Sequence, residues 1–137
     1  MTLHLDANVI IGALNGRAPA LRLRLQKAIE AGATLRISAI AMHELAFGVA
    51  GSRQPEKSAQ ALALLLSSAG IAVLAFDEAA AAQAGRLRAA LRARGEPIGP
   101  FDTLIAGHAL SEGATLVTAN VKEFARCEGL TVVDWTT

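Results

Sequence analysis

Three acids, Asp6, Glu44 and Asp102, stand where a carboxylate needs a reason. Asp6 follows the short apolar run Leu3-His4-Leu5, which reads as a strand, and Asp102 lies at the start of a helical run that opens after Gly95-Glu96-Pro97-Ile98-Gly99-Pro100. Glu44 shares a helical face with Ile40 and Phe47, three or four residues away, and so is expected among apolar neighbours instead of in water. Carboxylates of this kind suit a hard divalent cation such as magnesium, which takes one or two of them together with waters and phosphate oxygens. Held close, they would raise one another's pKa until a cation relieved the repulsion. A site like that can bind a phosphate and activate a water. Taken singly, Asp6 and Asp102 read equally well as helix caps and Glu44 as half of an ion pair. The joint pattern is what points to a metal site.

The elements that must bring these acids together alternate along the chain. After the first strand, Asp6-Ala7-Asn8 supplies a turn and cap for the apolar run Val9-Ile10-Ile11. A second helix opens at Pro19 and stops at Ala31-Gly32, Leu35-Arg36-Ile37 forms a second strand, and Ser38 caps the helix that carries Glu44. Pro55 to Ser68 is a fourth helix, Ile71 to Phe76 a third strand, and Asp77 the cap of a long fifth helix. Asp77 is read as structural. A sixth helix covers about Phe101 to Glu112 and stops at Gly113; strands follow at Thr115 to Thr118 and Leu130 to Val133. This order predicts one α/β domain over residues 1–137, with a central, mainly parallel sheet of about five short strands flanked by helices. In such sheets sites form beyond the carboxyl ends of the strands, which is where Asp6, Asp102 and the Ala119-Asn120 turn belong.

The bulk properties narrow the classes. Thirteen Lys and Arg against twelve Asp and Glu give no net-charge argument for a nucleic-acid partner. Their distribution says more: Arg17, Arg22, Arg24 and Lys27 form one stretch without an acid and Arg86, Arg88, Arg92 and Arg94 another, each a solvated helix face or a place for phosphates. The single cysteine, Cys127, fits a reducing cytosol, and the N-terminus has no secretory pattern, so a cytoplasmic protein is expected. The most apolar window, Ala59 to Phe76, falls short of the roughly 20 apolar residues a membrane span needs. His43-Glu44 begins like a zinc-protease motif, but Phe47 stands where its second histidine belongs. Nucleotide-binding glycine loops are absent. His4, His43 and His108 are read as structural. With four Phe, one Trp and no Tyr, few stacking platforms for single-stranded bases are expected, so recognition of a folded RNA by shape is favoured.

With the acids placed, the wording of the segments resembles PIN-domain proteins: Leu5-Asp6-Ala7-Asn8-Val9-Ile10, then Ile37-Ser38-Ala39-Ile40 leading to Glu44-Leu45-Ala46-Phe47-Gly48. Ile98-Gly99-Pro100-Phe101-Asp102-Thr103-Leu104-Ile105-Ala106-Gly107-His108-Ala109, then Leu116-Val117-Thr118-Ala119-Asn120-Val121-Lys122-Glu123-Phe124 and the closing Asp134-Trp135, look like VapC toxins in particular. The resemblance spans nearly the whole chain. It implies an endoribonuclease dependent on Mg²⁺ or Mn²⁺, a transfer-RNA substrate, a VapB-like antitoxin that keeps it inactive, and a homodimer. It places the family's first three acids on Asp6, Glu44 and Asp102. The fourth acidic position of many PIN domains falls on Asn120, with Glu123 one turn on as a substitute, so both join the catalytic set. Family members often carry Thr or Ser where this chain has Ala7, which removes one hydroxyl near the site.

Two other readings stay open from sequence. One is a PIN-fold module that binds RNA or protein with little catalysis, which Asn120 in place of an acid would permit. The other is a receiver-like phosphoacceptor domain, although Asp6 stands alone in a turn where an acidic pair would be required.

Overall fold

The computed structural model describes all residues from Met1 to Thr137. Twelve elements follow in chain order: β1 (Thr2–Leu5), α1 (Ala7–Asn15), α2 (Pro19–Glu30), β2 (Thr34–Ser38), α3 (Ala39–Ala50) and α4 (Pro55–Ala69), then β3 (Ala72–Leu74), α5 (Glu78–Ala93), α6 (Pro100–Ser111), β4 (Thr115–Val117), α7 (Val121–Phe124) and β5 (Val132–Val133). The strands form one wholly parallel sheet in the order β3-β2-β1-β4-β5, flanked by the helices as an α/β/α arrangement. This is the expected architecture.

β1 lies at the centre, which explains why Leu3, His4 and Leu5 are all buried: a parallel strand covered on both faces has no water side. From β1 the chain moves outward through β2 to β3, then returns to the other flank of β1 as β4. The reversal creates a crevice between the carboxyl ends of β1 and β4, the place where such sheets hold ligands. Asp6 N–H donates to the Val117 carbonyl at 2.9 Å, so the first acid is pinned by the sheet itself.

The predicted caps form. Ser38 Oγ accepts from Ile40 N–H at 3.1 Å and Asp77 Oδ1 from Ala80 N–H at 2.9 Å. Pro19, Pro55 and Pro100 each open a helix, where a missing N–H costs nothing. The outer strands are shorter than the sequence suggested: β3 has three residues and β5 two. Each pairs on one side only, and Val73 stands 45% exposed, so apolar character there did not mean extended pairing. The short helix α7 was not anticipated, since four residues give no periodicity to read. A single apolar core joins Leu5, Ile37 and Leu116 of the sheet to Leu21, Leu45, Leu91, Ile105 and Phe124 of the helices. α5 and α6 approach so closely that a Cβ on Gly107 would lie 2.5 Å from Ala84 Cα, which only glycine permits.

Candidate active site

Asp6 leaves β1 in extended backbone and caps α1, its Oδ1 accepting from Ala7 N–H at 2.8 Å. Its other oxygen accepts from the Thr118 hydroxyl at 2.8 Å, across the β1–β4 crevice. Asp6 is almost wholly buried, and burial pushes its carboxyl above the usual aspartate value against the pull of these two hydrogen bonds. Each oxygen keeps a further lone pair for another ligand.

Glu44 comes from the middle of α3. The core face of that helix is Ala41 and Leu45, and Glu44 lies one residue round from it, half-buried. The expectation that Ile40, Glu44 and Phe47 form a covered face is therefore only partly met, because Phe47 is 77% exposed. Glu44 Oε1 is nevertheless buried and has no hydrogen-bond partner. Burial raises its carboxyl pKa, the Asp6 charge adds to that, and His43 opposes it.

Asp102 sits in the first turn of α6, where the helix N-terminus favours a carboxylate. Its carboxyl is nonetheless pushed up to about 6, first by burial and then by Asp6, Glu123 and Glu44. A side chain at Gly99 would come within 3.2 Å of Asp102 Oδ2, so glycine there leaves the acid its room. The three predicted acids are thus near enough to feel one another's charge. They do not close into a ready-made cage: no three Asp, Glu, His or Cys side chains meet as a preformed metal centre.

Asn120 and Glu123 act as a pair on the rim. Glu123 Oε2 accepts from the Asn120 amide at 2.7 Å and Oε1 from Gly99 N–H at 3.0 Å, and these bonds hold its carboxyl below the usual glutamate range. Glu123 therefore ties β4's following turn to the segment that leads into Asp102. Sequence reasoning missed Thr118, the buried residue that joins the two halves: its hydroxyl donates to Asp6 and accepts from Asn120 N–H at 3.0 Å. A hydroxyl at the end of a central strand, opposite an acid at the end of the neighbouring strand, was the available signal.

The histidines are less scattered than the sequence suggested. His4 and His108 meet edge to face with centroids 5.2 Å apart, and His108 Nδ1 lies 2.7 Å from Ser38 Oγ. The basic stretches are partly occupied: Arg22 Nε donates to the Ala13 carbonyl, Arg24 to that of Thr137 and Arg94 to that of Arg126. Arg88 and Arg92 remain exposed along a cleft of about 670 Å³ between α5 and α6, beside the segment Pro97 to Pro100. Asp77 caps α5, as expected, and its charge acts on His108.

The donor set fits a divalent cation. Three hard carboxylates lie close enough to act on one another's charge, one oxygen is buried without a partner, and the others retain lone pairs, which is the chemistry magnesium or manganese selects.

Comparison with known proteins agrees with this geometry. The PIN domain family model matches residues 3–130. A relative from Shigella flexneri, "tRNA(fMet)-specific endonuclease VapC", is 38% identical over 131 residues, 96% of each chain. Among solved structures, the VapBC2 complex of Rickettsia felis, bound to a DNA fragment from its promoter, has a chain 33% identical with a TM-score of 0.91, covering 98% of this chain and 99% of that one. VapBC-1 from nontypeable Haemophilus influenzae gives 35% identity and a TM-score of 0.87 over the full length of both. The chain belongs to the PIN-domain family and, within it, to the VapC proteins.

Proposed function

We propose that this VapC protein is a Mg²⁺-dependent endoribonuclease that cuts transfer RNA, with Asp6, Glu44 and Asp102 as metal-holding residues and Asn120 and Glu123 completing the catalytic set. As a VapC protein the chain is a ribonuclease, the toxin half of a VapBC pair, and its partner is a VapB-type antitoxin. The choice of ion, the transfer-RNA substrate, a cytoplasmic site of action, a homodimer, action as one domain over 1–137 and the residue roles are the proposal. Manganese would meet the same oxygens. The observation that carries the residue roles is the buried, unpartnered Glu44 oxygen on an acid whose charge is coupled to those of Asp6 and Asp102.

Bound there, a divalent cation supplies a Lewis acid for the scissile phosphate and acidifies the attacking water. Asp6 is a fixed ligand, since Thr118 and Ala7 determine where its oxygens point. Asp102 is largely ionised at neutral pH and gains protons as the pH falls toward 6. Glu123, through Gly99, sets the approach of α6 and hence of Asp102. The exposed Arg88 and Arg92 contact phosphates of the bound RNA, which positions it without reading sequence.

The test incubates purified chain, freed of antitoxin, with transfer RNA and Mg²⁺ beside the Asp6→Asn and Asp102→Asn variants. Wild type is expected to cut and both variants to fail. Equal cleavage by all three would sink the site.

A further inference from the structure

His43 precedes Glu44 on α3 and Phe101 precedes Asp102 on α6, so two of the proposed metal-holding acids each have an aromatic ring as chain neighbour. The rings meet edge to face, with centroids 5.6 Å apart and planes inclined by 66°. Neither is core: His43 is exposed and Phe101 is 47% exposed. Phe47 lies one helical turn beyond His43 on the same side of α3 and is more exposed still.

The other aromatic side chains are placed differently. Phe124 is fully buried, Trp135 is buried, and Phe76 packs edge to face on His108. The two solvent-facing phenylalanines therefore both lie on the helices that carry Glu44 and Asp102. Exposed apolar side chains elsewhere, such as Leu23 of α2 and Leu64 of α4, are aliphatic. Consecutive Cα atoms are about 3.8 Å apart, so rings next in sequence to the acids lie within the span of a nucleotide from any phosphate held there. An edge-to-face contact covers a face of one ring only, leaving the other ring's faces open for stacking.

We propose that His43 and Phe101, extended by Phe47, form a stacking platform for unpaired nucleobases flanking the phosphodiester that reaches the acids. The inference rests on the nuclease reading and deepens it: the cut falls in an unpaired loop or strand of a folded RNA, because a base inside a duplex is already stacked on both sides. Aromatic stacking accepts any base, so the platform selects for unpaired structure and leaves sequence preference to other contacts.

The test uses the full chain with calcium in place of magnesium and a short single-stranded oligoribonucleotide carrying 2-aminopurine, beside the same strand in a duplex. Wild type is expected to quench the fluorophore and to bind the single strand more tightly. Phe101→Leu should weaken that binding about tenfold and remove the quench, Phe101→Trp should keep both, and His43→Ala should fall between. Because Phe101 is half exposed, its replacement should leave the melting temperature within about a degree or two of wild type, which separates lost stacking from lost folding. Wild-type binding by Phe101→Leu and His43→Ala, a preference for the duplex, or no quench by wild type would overturn the platform. So would substitutions that dissociate a complex between copies of the chain while RNA binding is unchanged, since the rings would then cover a protein interface. A quench without cleavage of transfer RNA in magnesium would count against the nuclease reading alone, and cleavage without a quench against the platform alone.

Discussion

β1 carries the buried His4, the buried Asp6 follows at its end two positions on, and the regions around them handle burial differently. Around His4, burial first and then the nearby His108 lower the imidazole pKa to about 4, and burial lowers His108 as well. That region is neutral at physiological pH. His4 keeps two nitrogens without partners, but a neutral imidazole so sealed costs only about 1–3 kcal/mol. Around Asp6, burial pushes the other way, raising Asp6, Glu44 and Asp102. Asp102, at about 6, is mostly ionised at neutral pH all the same, and an ionised group shielded from water without a counter-charge costs far more than a neutral one. The histidine region carries no charge that needs a counter-ion. On the proposed reading the acidic region is completed by a cation from outside, and that contrast would separate structure from function here.

The largest break in the contrast should come from Asp102→Asn. Magnesium should raise the melting temperature of wild type and leave the variant unmoved, while the metal-free variant should melt above metal-free wild type because one of three mutually repelling charges is gone. Cleavage should fall about 10³-fold, the upper end of the loss on removing one preorganised electrostatic group. Thermal melting with and without Mg²⁺ reads the first two effects. A variant that magnesium still stabilises as it does wild type would place the cation elsewhere.

The two regions should also oppose each other as pH changes. Asp102 has a folded pKa of about 6 against an ordinary 3.8, so its contribution to stability is full below about pH 4 and is lost as pH rises through 6. His4 has a folded pKa of about 4 against 6.5, so its contribution is full above pH 6.5 and is lost as pH falls toward 4; a shift of that size corresponds to about 3 kcal/mol. In metal-free urea unfolding, Asp102→Asn should therefore gain stability more steeply than wild type between pH 4 and 6. His4→Leu should gain it less steeply than wild type over the same range. Identical slopes for the two variants would erase the distinction.

Gly107 links both regions, because α6 carries Asp102 at one end and His108 on the turn beside Gly107. A methyl at Gly107 would meet the Ala84 backbone at 2.5 Å, and backbone cannot give way as a flexible side chain can. Gly107→Ala should cost about 3 kcal/mol in urea unfolding and weaken Mg²⁺ binding at the same time. Lost stability with unaltered Mg²⁺ affinity would show that the acids do not depend on the seating of α6.

Much of this arrangement was legible in the chain. Asp6 and Ser38 could be placed because strand ends and caps leave local marks, and Pro19 and Pro55 marked helix starts. The sheet-edge rule and the family wording gathered Asp6, Glu44 and Asp102. What escaped depends on long-range pairing: Thr118 reaching across to Asp6, and Glu123 holding Gly99 from 24 residues away. The meeting of His43 with Phe101 is of the same kind, and it qualifies the expectation, drawn from a low aromatic count, that the chain lacks stacking platforms. Counting residues cannot reveal that the few exposed rings share one place. The basic stretches misled in the opposite direction, since helix C-terminal carbonyls and chain ends engage arginines that read from sequence as free.

The smallest expected effect concerns Asn120, where the fourth acid of many PIN domains would stand. Its amide donates to Glu123 and its backbone N–H to Thr118, so it touches the supports of both Asp102 and Asp6 without being an acid itself. Asn120→Ala deletes only the first of these contacts. Glu123 then keeps its bond to Gly99 but loses the partner that contributes most to holding its carboxyl low. Removal of such an outer support should reduce cleavage about tenfold, with about 1 kcal/mol of stability lost. Asn120→Asp makes the complementary change by setting a second charge against Glu123, so its metal-free melting temperature should drop and Mg²⁺ should restore more than it does in wild type. If Asn120→Ala cuts as fast as wild type, position 120 contributes nothing to the site, and Glu123 matters only as the anchor of Gly99.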